Sequence, residues 1–221
     1  MKYKITNLIL KTDNEVDCSP SKVRGYFGNT FNQYPLLHNH FSEGKYIYNY
    51  PRVQYKIIEN TIIIQGIDEG GDLLKEISSS LSTLSLNKEY SIVEKIIQEK
   101  EFDIKPSSQE KHYKFITPWL GLNANNYLRY IQMKSWKDKK ELLNNILVGN
   151  FLSLSKGLGI IVNKRLYATS HLDEQIVEYK SVKMNAFTGE FKVHYDLPDY
   201  IGIGKGVSQG FGCVKQIYDG D

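Results

Sequence analysis

Between residues 2 and 104 the hydrophobic pattern switches period repeatedly, from two to 3.6 and back, and the order of those switches leaves few folds open. Lys2 to Lys11 alternates polar and apolar positions through Tyr3, Ile5, Leu8, Ile9 and Leu10, which predicts a strand. Ser19 then precedes Pro20, a cap followed by a residue whose backbone is pre-set for the first helical position. Val23, Tyr26, Phe27 and Phe31 recur behind it at helical spacing. Arg52 to Glu59 and Thr61 to Ile67 are β-rich runs meeting at Asn60, the pattern of a hairpin. Gly70 and Gly71 read as a break, after which Asp72 opens a helix carrying Leu73, Leu74, Ile77, Leu81 and Leu84 on one face. Tyr90 to Ile104, with Ile92, Val93, Ile96 and Ile97, closes the series as a strand, although that spacing would also suit a short helix.

Pro106, Ser107 and Ser108 are the expected linker, dividing the chain into domains of residues 1–107 and 108–221. The second stretch begins with a strand, His112 to Thr117. Helical text follows from about Asn123 to Ser155, with Gly157 as its stop. Ile160 to Ser170, Val177 to Asn185 and Glu190 to Leu197 read as strands, the last two turning through Ala186 to Gly189, and Cys213 to Tyr218 as a short final one. A glycine-rich run, Gly202 to Gly212, stands where a second helix would be expected. The fold class is therefore α+β: the first half reads βαββαβ, a ferredoxin-like order, and the second half is a degenerate ferredoxin-like domain with the glycine-rich loop in place of its last helix.

Composition excludes several classes. Hydrophobic residues at 41% and charged residues at 24% supply a core, which excludes a disordered or collagen-like chain. No run approaches the roughly 18 apolar residues of a membrane span, and the N-terminal twelve residues have neither the apolar region nor the cleavage site of a signal peptide, so a cytoplasmic protein with no membrane partner is expected. Cys18 and Cys213 are too few for a disulfide framework and lack metal-binding spacing. Charge is unevenly spread. Cations exceed anions by three over residues 1–60 and by five over 111–221, whereas anions exceed cations by five over 61–110. Such a distribution suits either a phosphate-binding face or ordinary solvated surface.

Two constellations stand out. His38 and His40 flank Asn39 directly after the first helix; in extended chain they would point to one side, roughly 7 Å apart. Imidazoles titrate near neutrality, so such a pair could stand on either side of one phosphodiester, one ring taking a proton and the other giving one. A zinc site is the rival reading, but no carboxylate or cysteine nearby offers a third ligand at suitable spacing, so no metal is expected. His112, His171 and His194 occur singly and read as structural or surface residues. The second constellation is the glycine run. Gly202, Gly204, Gly206, Gly210 and Gly212 allow close backbone approach, and Lys205, Ser208 and Gln209 add a charge and donors suited to a sugar-phosphate backbone. Neither the dinucleotide fingerprint nor the phosphate-loop pattern is present in it.

The spacing Gly202-x-Gly204, five residues, then Gly210-Phe211-Gly212 resembles the glycine-rich signature of the RAMP superfamily, and in particular the CRISPR-associated endoribonucleases that cut repeat transcripts into guide RNAs. Arg24-Gly-Tyr-Phe-Gly-Asn, Leu37-His-Asn-His40, Tyr50-Pro-Arg-Val-Gln-Tyr-Lys56 and Gly149 to Gly159 extend the resemblance over about residues 2–217. It implies two tandem ferredoxin-like (RAMP/RRM-like) domains and RNA cleavage without metal or other cofactor. It also implies catalysis by a histidine after the first helix, at His38 and His40 here, leaving a 2′,3′-cyclic phosphate and a 5′-hydroxyl. The two candidates leave base and acid interchangeable. Lys45, Arg52, Lys205, Ser208, Gln209 and the five glycines are the expected RNA contacts, and CRISPR repeat RNA the expected partner. A non-catalytic RAMP subunit that holds guide RNA would share the folds and the loop, with other CRISPR effector subunits as partners; the histidine pair favours the enzyme.

Overall fold

The computed structural model describes residues 2–38 and 50–218. The chain divides into two compact units, one of Lys2–Phe102 with Val207–Gly210, the other of Asp103–Gly206 with the chain from Phe211 onward. No helix among the described residues is long and apolar enough to cross a membrane.

In the first unit, strands β1 (Lys2–Thr12), β2 (Val53–Ile58), β3 (Thr61–Ile67), β4 (Thr83–Ser85) and β5 (Glu89–Asp103) form one sheet in the order β2-β3-β1-β5-β4. β1 and β2 each pair antiparallel with β3. Ion pairs Lys2–Glu101 and Lys11–Glu94 run in opposite sense along β1 and β5, so these are antiparallel too. The helices are α1 (Pro20–Thr30) and α2 (Glu69–Ser78). α1 starts where Ser19 is extended and Pro20 takes the first helical position, as expected, but the Ser19 hydroxyl pairs with that of Ser21 at 2.7 Å and caps no backbone N–H. Glu59 and Asn60 both have positive φ, 48° and 60°, which matches the right-handed twist of the β2–β3 hairpin. Phe27, Tyr55, Ile64 and Leu74 are fully enclosed in the shared core.

Gly70 and Gly71 are no break. They form the first turn of α2, which begins three residues before the expected Asp72, because a Cβ at Gly70 would lie 2.2 Å from the Arg52 carbonyl oxygen and one at Gly71 2.4 Å from Thr6 Oγ1. The glycines admit helix against sheet. α2 stops at Ser78, so Leu81 and Leu84 reach the core from the following turn and from β4.

The second unit has strands β6 (Lys105–Trp119), β7 (Ala168–Tyr179), β8 (Val182–Asp196) and β9 (Val214–Ile217) in the order β7-β8-β6-β9, all antiparallel, with helices α3 (Ala124–Gln132) and α4 (Trp136–Leu158) after β6. Pro106, Ser107 and Ser108, expected as a linker, belong to β6. The helical text is two helices, and α4 runs through Gly157 to Leu158; Gly159, at φ 79°, is the residue that ends it. Phe151 of α4 packs on Phe191 and Tyr195 at centroid distances of 6.0 and 5.1 Å. The β7–β8 turn is at Lys180–Ser181, with φ 52° and 61°, and Ala186 to Gly189 lies inside β8. Gly189 looked like a turn residue, but it serves close approach, since a Cβ there would meet the His171 carbonyl oxygen at 2.2 Å. The strand expected from Ile160 is confined to Ala168 onward; Ile161, in the unpaired segment before it, is 86% exposed.

Both sheets follow one scheme. The first and third strands of each unit are central, the second flanks the third and the last flanks the first, which is the ferredoxin-like arrangement. In the second unit the chain between β8 and β9 has no α-helix; it carries the glycine-rich run and one 3-10 turn, Val207–Gln209.

Candidate active site

The first of the two histidines is approached from α1 and from β2. α1 ends at Phe31, and a 3-10 turn over Pro35–Leu37 follows, with the His38 N–H donating to the Pro35 carbonyl at 3.2 Å. Leu37 is buried and anchors that turn in the core. The Tyr55 hydroxyl of β2 donates to the Leu37 carbonyl at 3.0 Å. Burial pushes that phenol far above its ordinary pKa, so it stays a neutral donor. Arg24 of α1 donates through Nη2 to the His38 carbonyl. One helical turn on, Gly28 leaves room for the ring: a Cβ there would lie 3.1 Å from His38 Cβ and 3.7 Å from Nδ1. His38 is half-buried, and its Nδ1 is shielded from solvent. Arg24, Gly28 and Tyr55 are thus the positioning residues of this turn. Gly28 had a signal of its own, because glycine inside a helix costs about 1 kcal/mol relative to alanine and usually marks a close approach.

His40 and Lys45 lie outside the described residues. Arg52 is described. Its guanidinium reaches Asp68 Oδ2 at 3.4 Å and Glu69 Oε1 at 3.3 Å, at the start of α2.

The glycine run is divided between the units. Its tip, Val207–Gly210, belongs to the first unit and packs on α1 and β2, the elements that hold His38. Gly210, at φ 87°, brings the backbone so close that a Cβ would sit 2.6 Å from Pro20 Cγ and 3.1 Å from the Tyr55 carbonyl oxygen. Tyr55 therefore faces the glycine tip with its backbone and the histidine turn with its hydroxyl. Pro20 and Gly28, the two points on α1 touched by the tip and by His38, are eight residues apart, roughly 12 Å of helix axis. Ser208 and Gln209 are half-buried in the 3-10 turn of this tip.

Lys205 belongs to the second unit, with its ammonium 5.1 Å from the centre of the Tyr179 ring. Gly204, at φ 92°, sits over Trp119, whose Nε1 donates to Asn150 Oδ1 at 2.9 Å. The structure thus brings Ser208, Gln209 and Gly210 into the unit of His38, and sets Gly202, Gly204, Lys205, Gly206 and Gly212 in the other. The single histidines stand apart: His112 Nε2 lies 2.9 Å from Glu190, and His171 and His194 are exposed. Among the described residues, no three His, Cys, Asp or Glu side chains gather in a way that could hold a metal ion.

Known proteins share this architecture over its full length. A solved structure of Cas6b superposes with a TM-score of 0.90 at 32% identity, covering 98% of this chain and 100% of that one. A second, described as the CRISPR RNA processing endoribonuclease Cas6b, gives 0.78 at 29% identity with the same coverage. A type IV Cas6 crRNA endonuclease, Csf5, shares the fold at a TM-score of 0.56 with 9% identity, over 99% of this chain and 100% of its own. An uncharacterised protein of Methanocaldococcus jannaschii is 47% identical over 106 residues, which are 48% of this chain and 71% of that protein. The Cas6b N-terminal domain matches residues 1–103 and the Cas6b C-terminal domain residues 105–217. With both domains matched in sequence order and a Cas6b structure superposing from end to end, this chain belongs to the Cas6b family.

Proposed function

We propose that this chain is a metal-independent endoribonuclease that cleaves CRISPR repeat transcripts into guide RNAs. The observation that carries the reading is His38, clamped between α1 and β2 in a chain of the Cas6b family, one of whose solved members is described as a CRISPR RNA processing endoribonuclease. The reaction needs two proton transfers, and His38 and His40 supply one each. One imidazole takes the proton of the 2′-hydroxyl as O2′ attacks the adjacent phosphorus; the P–O5′ bond breaks, and the other imidazolium protonates the departing O5′. The products are a 2′,3′-cyclic phosphate and a 5′-hydroxyl. Because imidazoles carry both protons, no step requires a metal. Lys45, Arg52, Lys205, Ser208, Gln209 and the backbone at Gly202, Gly204, Gly206, Gly210 and Gly212 hold the sugar-phosphate chain.

The test is incubation with labelled repeat RNA in EDTA, followed by analysis of the product ends. Cleavage should persist under chelation, yield a cyclic phosphate and stop when the nucleotide before the cut carries a 2′-deoxy sugar. Loss of cutting in EDTA would overturn metal independence. Tight binding with intact RNA recovered at every pH would assign the chain to the guide-holding subunits instead.

A further inference from the structure

The second unit has a cavity of about 450 Å³ at the tip of the β7–β8 hairpin, within the range of about 300–1,000 Å³ typical of small-ligand sites. Its chemistry is one-sided. Lys180, Lys183 and Lys205 line it, and among the described residues no carboxylate does. Two tyrosines join them. Tyr127 of α3 is 40% exposed, and among the described residues its ring has no aromatic neighbour and its hydroxyl no partner. Tyr179 is held edge-on by Phe211, with ring centres 5.6 Å apart, and carries the ammonium groups of Lys205 at 5.1 Å and Lys180 at 5.7 Å. Such exposed cation–π contacts contribute only about 0.5–1 kcal/mol, so the ammoniums can turn to a phosphate at small cost. Asn123 and Asn185 also line the cavity. The carboxamide oxygen of Asn123 accepts the Asn126 N–H at 2.8 Å, and the amide nitrogen of Asn185 donates to Glu174, which leaves the Asn123 amide nitrogen as donor and the Asn185 oxygen as acceptor for a base edge.

A face with an open aromatic ring, several ammonium groups, no carboxylate and amides nearby matches a nucleotide: a flat base to stack, an edge to bond and a phosphate to neutralise. We propose that this cavity is a binding site for one unpaired nucleotide of the RNA, its base stacked on Tyr127 and its phosphate among Lys180, Lys183 and Lys205. The inference rests on the RNA reading above and adds a site made wholly of second-unit residues.

The experiment uses the full chain and repeat RNA made uncleavable by a 2′-deoxy sugar at the cut. Tyr127→Ala should weaken affinity about 5- to 150-fold, the range for losing one base stack, whereas Tyr127→Phe, which keeps the stack, should bind like the unaltered protein. Lys183→Ala should flatten the slope of log affinity against log salt by about 0.7, as expected for one phosphate contact on a single strand. Ultraviolet cross-linking should attach RNA to the peptide containing Tyr127 or Tyr179. Normal affinity and salt slope in all three variants would overturn the site and leave the RNA reading standing. Failure of the unaltered protein to bind repeat RNA at low salt would overturn both.

Discussion

The two units build the same sheet order and cover it differently. In the first, β5-β1-β3-β2 lies under α2, whose Leu73, Leu74 and Ile77 are buried and whose glycines let its first turn touch β1 and the chain just before β2. In the second, α4 packs on β9-β6-β8-β7 through Phe151, but no α-helix stands between β8 and β9. The chain after β8 instead buries Ile201 and Ile203 and threads past Trp119 through residues with positive φ. A helix keeps its backbone hydrogen-bonding groups to itself, whereas this loop donates N–H groups to other segments, that of Lys205 to Leu120 and that of Gly212 to Pro118. The loop that replaces a helix in the second unit also delivers Val207–Gly210 to the unit of His38. Strand order is thus the shared scaffold, and the covering layer is where the two halves diverge in use.

That contrast can be broken at several points. The largest effect belongs to the histidine turn of the first unit. His38→Ala or His40→Ala should slow repeat-RNA cleavage by about 10²- to 10⁴-fold, or about 3–5 kcal/mol of barrier, with RNA affinity near normal. Full-rate cutting by both variants would remove the catalytic assignment. Next come the two covering layers. Leu74→Ala on the buried face of α2 should lower stability by about 2–5 kcal/mol in urea titrations. Gly204→Ala should cost about 1–3 kcal/mol, because it forces a side chain into left-handed backbone and sets its Cβ 2.6 Å from Trp119 Nε1. A Gly204→Ala protein as stable as the parent would show that the loop is not a packed layer.

Tyr55→Phe tests the link between tip and turn more gently. Loss of its bond to Leu37 should cost about 0.5–1.5 kcal/mol of stability. If the bond also orients His38, the single-turnover cleavage rate should fall at saturating RNA while affinity is kept. The smallest effect lies on the surface of the first unit, where Lys4 and then Lys75 hold the Asp72 carboxyl below its usual range, and Lys75 does the same for Glu99. Carboxyls depressed in the folded state contribute stability above the ordinary carboxylate range and lose it as pH falls through the lowered value. The urea midpoint should therefore drop slightly from neutral pH to about 3, less so in an Asp72→Asn variant, and both drops should shrink in high salt. Asp103, lowered by Lys105, supplies the second-unit counterpart.

Much of this was legible beforehand, and the failures share a cause. Period and capping located β1, α1 and the β2–β3 hairpin, because these depend on side chains a few residues apart. Glycine misled three times. Gly70 and Gly189 looked like punctuation and are close approaches inside paired or helical structure, while Gly157 lies within α4 and Gly159 ends it. A missing side chain permits both a turn and a contact, and only the neighbour decides which. The turn at Lys180–Ser181 had no signal at all, since neither residue type favours positive φ. Gly28 was visible as a helix glycine, but nothing near it in sequence announced that Arg24 and Tyr55 would converge on residues 37 and 38.

The sequence by itself determined the strand-helix order of the first unit, a loop in place of a helix in the second, and the histidine next to α1, all of which follow from short-range periodicity and residue chemistry. Tertiary structure alone decided that the glycine run would be shared, its tip joining α1 and β2 while Lys205 joined Tyr179. Contacts between residues far apart in the chain leave no local pattern; they exist only once the sheets have formed and the backbone at Gly210 has room to reach Pro20 and Tyr55.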